Sequence, residues 1–249
     1  MFSSSHQTGT QGLEILTPSG NGKDQRYASF LGNVSRTYER YIRGYCYEMN
    51  RASASTQIQC PSSSRDSLGI IQPFLCLQVN CGMKCGMQVK GKDTTVGAGG
   101  SKVSIEVIVL SKRGQRLRLH FSSLFNKFEC NQLHAQIPWE WCNIDINCGD
   151  DRWTNVIIDL QFITSFCFTG AEYSNIISIN VKPIIKLRKI FTLPVSSVVT
   201  TAISTRTGGT CGIGGTCMST TGLNRIAAPT FQIPMNLDFP KGVEHDVRM

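Results

Sequence analysis

Charged residues are sparse in this chain: only 17% of its 249 residues are Asp, Glu, Lys or Arg, so it is no polyelectrolyte. Long apolar runs are missing as well. No stretch approaches the roughly 18 uninterrupted apolar residues of a membrane span, and Met1-Phe2-Ser3-Ser4-Ser5-His6 lacks the basic region and apolar run of a secretory leader. An intracellular, soluble protein is the expectation. Its 11 cysteines are an odd number, which argues against a complete disulfide framework and for reduced thiols.

Motifs that carry chemistry are also scarce. Cys81 and Cys85, Cys142 and Cys148, and Cys211 and Cys217 lack the tight two-residue spacing with a matching second pair that a structural zinc site favours, so no metal is expected. Cys46, Cys76 and Cys167, set among apolar neighbours, read as small buried hydrophobes. Neither Gly97-Ala98-Gly99-Gly100 nor Thr207 to Gly215 leads into a Gly-Lys-Ser/Thr, so both read as loops and no cofactor is expected. The histidines (His6, His120, His134, His245) are scattered, and Asp150-Asp151 reads as a turn before Trp153. No nucleophile, base and acid can be assembled, and the protein is not expected to be an enzyme.

What the chain does have is 41% hydrophobic residues, enough to bury a core unaided, arranged as short segments of period two. Strands are expected over 13–17, 41–49, 55–60, 74–81, 103–110, 115–121, 133–138, 153–160, 175–181 and 184–191. In Arg116-Leu117-Arg118-Leu119-His120-Phe121 the apolar residues share one face and the basic residues the other. Ser111-Lys112-Arg113-Gly114 joins this strand to the preceding one as a hairpin, with Gly114 free to take positive φ. One helix is expected after Asp159 as N-cap, running to Cys167 and ended by Gly170, with Phe162, Ile163 and Phe166 closing one end of the core. The fold class is all-β: an antiparallel sandwich or jelly roll with one short helix. Domain organisation reads as a sandwich over 1–194 and a flexible Gly/Ser/Thr/Pro-rich tail over 195–249, with a long exposed loop at Lys90 to Lys102.

The formal net charge is +8, which favours an acidic partner. The tail holds four of the 25 Lys and Arg and three of the 17 Asp and Glu; 21 basic and 14 acidic residues precede it, so a net +7 sits on the sandwich. Candidate partner-binding residues are Lys112, Arg113, Arg116 and Arg118 on one hairpin, and Lys186, Arg188 and Lys189 in the alternating Lys186 to Leu193 segment. Trp139 and Trp141 lie two apart and would project to one side of an extended segment, as a partner patch or a packed edge.

Several pieces taken in order resemble the cilia- and flagella-associated protein 20 domain family, and more closely its larger members with that domain at the N-terminus. They are Met1-Phe2, Gln57-Ile58-Gln59-Cys60-Pro61, Leu68 to Leu75, Phe121 to Phe125, Leu133 to Pro138, Trp153 to Leu160, and Lys186 to Leu193. The resemblance covers residues 1 to about 194; Lys90 to Lys102, Cys142 to Asp151 and the tail depart from it. It implies a non-catalytic β-sandwich that binds microtubule walls in cilia, flagella, basal bodies or centrioles. The implied partners are the tubulin lattice and neighbouring axonemal or centriolar proteins, with no membrane and no nucleic acid. The implied location is the cytoplasmic cytoskeleton. Two rivals come from the residues themselves: a carbohydrate-binding module, from the Trp139 and Trp141 pair, and a nucleic-acid binder, from the positive charge.

Overall fold

A computed structural model describes residues 7, 11–18, 27–49, 55–80, 103–139, 153–183, 186–195, 198–199, 230–231, 233, 236–240 and 245–248. In chain order the elements are β1 (Leu13–Leu16), β2 (Ser29–Leu31), β3 (Val34–Glu39), β4 (Gly44–Met49), β5 (Gln57–Cys60), β6 (Phe74–Asn80), β7 (Ser104–Ser111), β8 (Arg116–Ser122), β9 (Glu129–Cys130) and β10 (His134–Pro138). There follow β11 (Trp153–Asp159), α1 (Leu160–Cys167), β12 (Tyr173–Lys182), β13 (Lys186–Leu193), β14 (Val198–Val199), β15 (Thr230–Phe231) and β16 (His245–Arg248).

Period-two patterning turns these strands into two seven-stranded sheets. One runs β16-β11-β6-β13-β4-β3 with β1 also on β13; the other runs β2-β5-β12-β7-β8-β10-β9. The expected sandwich is present. Its sheets are mixed rather than purely antiparallel, because β10 runs parallel to β8 and β16 parallel to β11. Inward residues interdigitate between the layers: Leu75, Leu77 and Val79 of β6 share one cluster with Val107, Val109, Leu117, Leu119 and Ile179 of the other sheet. Burying each such side chain contributes about 1.5–3 kcal/mol before entropy is charged.

The chain changes sheets between β2 and β3 in a tight turn. Gly32 there has φ +71, and a Cβ would come within 2.8 Å of the Thr56 backbone, so only glycine fits. The β7–β8 hairpin closes as the sequence requires, with Gly114 at φ +79 and its amide donating to the Ser111 carbonyl at 2.9 Å.

Helix α1 starts where expected: the Asp159 carboxylate accepts from the Phe162 amide at 2.9 Å. Its buried face is the expected one at Ile163 only. Leu160 and Thr164 are buried, and Ile163 and Cys167 pack on the core, a stripe at three- and four-residue spacing. Phe162 and Phe166 fall on the opposite side, 62% and 56% exposed, and stack with ring centroids 6.0 Å apart. They do not close the sandwich.

The 195–249 region is not uniformly the tail that composition suggests. Leu237 is buried in a cluster with Phe74, Cys76, Ile157, Phe191 and Leu193 on the outer face of the first sheet, and Phe239 joins Ile42, Cys46 and Trp153. Hydrogen bonds hold this segment down: Gln78 Nε2 donates to the Leu237 carbonyl at 2.9 Å. The packing is close enough that a Cβ on Gly12 would lie 2.5 Å from Leu237 Cδ1. The Gly-rich Lys90 to Lys102 loop, Cys142 to Asp151 and Thr207 to Cys217 lie outside the described residues. Leu237→Ala should lower unfolding free energy by about 2–4 kcal/mol in urea denaturation; an unchanged midpoint would mean that the segment does not cover this face.

Candidate functional site

Four of the candidate cations converge on one hairpin. On β8, Leu117 and Leu119 point into the core, which leaves Arg116 and Arg118 exposed on the outer face, while Lys112 and Arg113 occupy the turn. Lys112 Nζ lies 2.6 Å from Glu172, both side chains about two thirds exposed, and the pairing holds the Glu172 carboxyl below its usual range. Arg118 Nε is 3.6 Å from Glu106. Exposed pairs of this kind are worth roughly 0–1 kcal/mol, so they do not withdraw the patch from a stronger anionic partner.

The second expected cationic strand is different. Lys186 pairs with Glu39, both half-buried. Arg188 donates to Gln78 Oε1 at 2.6 Å and to the Asp238 carbonyl at 3.0 Å, with its guanidinium 5.1 Å from the Phe239 ring centroid. Lys189 is 7% exposed, donates to the Asn236 carbonyl at 2.6 Å and lies 3.5 Å from Glu14. Burial lowers the pKa of both Arg188 and Lys189. A register shift between Leu187 and Lys189 brings Arg188 and Lys189 against the same covering segment. The open cationic face expected at Lys186, Arg188 and Lys189 is thus corrected: these groups hold chain segments together.

The aromatic platform is corrected as well. Trp139 is fully buried and belongs to the core between the sheets, and its indole Nε1 has no hydrogen-bond partner among the described residues. Trp141 lies outside the described residues.

One surface was not anticipated. The β3–β4 hairpin presents Arg36, Arg40 and Arg43 with Tyr38, Tyr41 and Tyr45, all exposed. The signal was in Val34-Ser35-Arg36-Thr37-Tyr38-Glu39, whose β-branched and aromatic residues favour a strand but which is too polar to stand out as one.

The family model for the CFA20 domain matches residues 1–195. The chain belongs to the CFA20-domain family. That family's name associates it with cilia and flagella. The match ends two residues beyond β13, so the Leu237 and Phe239 cover lies outside the matched part of the chain.

Within this CFA20 domain the described thiols are set by burial. The Cys60 thiol is pushed up to about 12, Cys76 rises well above the ordinary value, and Cys46 rises as well. Cys130 is raised too, and Cys167 reaches about 12, where burial is again the first cause. None of these is an activated thiolate. His120 exchanges a hydrogen bond with Ser104 Oγ at 2.7 Å and stacks on His134 with centroids 6.0 Å apart; burial lowers its pKa. Among the described residues no three His, Cys, Asp or Glu side chains are grouped as metal ligands.

Two tests follow from this division of roles. Lys189→Ala strands a carbonyl that now accepts from a cation, so it should cost about 1.5–3 kcal/mol of stability, whereas Arg116→Ala should stay within about 0.5 kcal/mol; equal effects would contradict the assignment. For His120 the folded pKa lies below the unfolded 6.5. The unfolded chain therefore takes up the proton first, and stability is lost as pH falls through 6.5 toward the folded value. Melting between about pH 7.5 and pH 5.5 should show this loss. His120→Gln should reduce it, and an identical pH profile in that variant would assign the dependence elsewhere.

Proposed function

We propose that the protein is a non-catalytic, microtubule-associated structural component of cilia or flagella, or of the basal bodies and centrioles from which they grow. It docks on the tubulin lattice through the β7–β8 hairpin. The observation that carries this reading is the exposed set Lys112, Arg113, Arg116 and Arg118, held on a two-stranded scaffold whose other face is locked in the core. Tubulin surfaces and tails are acidic, so such a patch supplies complementary potential, and its rigidity fixes orientation at little entropic cost. Arginine adds the option of bidentate pairing with carboxylates. Lys186, Arg188 and Lys189 support the fold and do not extend the docking face. Neighbouring axonemal or centriolar proteins complete the assembly, in a cytoskeletal location without membrane or cofactor. Thiols held protonated by burial suit a role without covalent chemistry.

Cosedimentation with microtubules should weaken steadily as salt rises, because exposed charges are screened. The double variant Arg116→Glu, Arg118→Glu should bind about tenfold more weakly or worse, with its unfolding curve unchanged. Binding that ignores both salt and charge reversal sinks the electrostatic face. A tagged copy in ciliated cells should mark the axoneme or basal body.

A further inference from the structure

The β3–β4 hairpin carries a second cationic surface of a different kind. Strand β3 ends its sheet: among the described residues it pairs only with β4, and no other described strand lies beside the second row of its amide and carbonyl groups. Tyr38 lies opposite Tyr45 and Arg36 opposite Tyr47, which puts these four on one face. Nearer the core Tyr47 packs on Phe30, with centroids 4.9 Å apart. Farther out Tyr38 and Tyr45 meet edge to face at 5.4 Å and are 57% and 41% exposed, and the Arg36 guanidinium sits 4.6 Å over the Tyr45 ring.

The turn is held by Ile42, which is fully buried against Cys46, Trp153 and Phe239. Around that anchor Arg40, Tyr41 and Arg43 are exposed. The hairpin's acids lie on the other side of it. Glu39 and Glu48 sit at the alternate positions, on the face opposite Tyr38 and Tyr45, and Glu39 is paired with Lys186. The result, among the described residues, is an open strand edge flanked by three arginines and a tyrosine shelf, on an anchored scaffold.

We propose that the outer edge of β3 is a binding site for an extended acidic segment of a partner protein. The segment adds to the sheet as a further strand. Its carboxylates meet Arg40 and Arg43, and its other side chains lie on Tyr38 and Tyr45. Main-chain hydrogen bonds to the open edge supply affinity, and the arginines select acidic side chains. This site is separate from the β7–β8 hairpin and does not rest on the microtubule reading. A single-stranded nucleic acid would also use arginines and aromatic rings; the open row of backbone donors and acceptors, which a strand satisfies and a nucleic acid does not, favours the peptide.

Fluorescence anisotropy of the full chain with a labelled peptide of alternating glutamate and valine tests this without tubulin. Binding should weaken with salt, and by about tenfold or more in the Arg40→Glu, Arg43→Glu double variant. Lys127→Glu, next to the β9 edge of the other sheet, should leave it unchanged. The same peptide with glutamine for glutamate should bind at least about tenfold more weakly, and N-methylation of alternate peptide amides should abolish binding. In the unmutated protein, hydrogen exchange of the β3 amides should slow on peptide addition. The proposal is overturned by equal binding of the glutamine peptide, by unprotected β3 amides, or by an oligonucleotide that binds more tightly than the acidic peptide. Retained microtubule binding by the Arg40→Glu, Arg43→Glu variant would separate the two surfaces.

Discussion

Every side chain of β6 is withdrawn from water, and the arrangement of both sheets follows from how its two faces are covered. On one side Leu75, Leu77 and Val79 enter the space between the layers. On the other, Phe74 and Cys76 need a lid of their own, which Leu237 and its neighbours provide. The polar members of the strand are satisfied in place: Gln78 bridges Arg188 and the Leu237 carbonyl, so burying it does not strand a donor or acceptor. Flanked by β11 and β13, this strand is paired along both edges.

Local chemistry was legible in the sequence. Alternation in Arg116 to Phe121, the Gly114 turn and the Asp159 cap each depend on residues within a few positions of one another, and the structure carries all three. What could not be read was the partner of each face. Periodicity says that Lys186 and Arg188 share a side of a strand; it does not say that a segment about fifty residues later lies across that side. Trp139 misled for the same reason, since its spacing from Trp141 says nothing about which layer receives the ring. The helix failed more simply: in two turns the stripe begun by Leu160 leaves Phe162 and Phe166 outside. Strand β3 was hidden by its polarity, because an edge facing water on one side needs little hydrophobic content.

The cations consequently divide by depth. Arg188 and Lys189 are tied to carbonyls and a carboxylate inside the fold, where removing a partner is costly. The β7–β8 and β3–β4 groups stand at the surface, where interactions such as Lys112 with Glu172 are weak. A formal +8 is thus a poor guide to the strength of any one surface, since part of it is structural mortar.

The lid over Phe74, Phe191 and Leu193 has a consequence for biosynthesis. All the described sandwich strands but β16 have been made by Leu193, yet Leu237 follows about forty residues later. At a translation rate of roughly 5–20 residues per second, a greasy face stays open on the nascent chain for several seconds. During that interval the ribosome-bound protein is at its stickiest, and folding helpers that shield apolar surface have their natural point of action there.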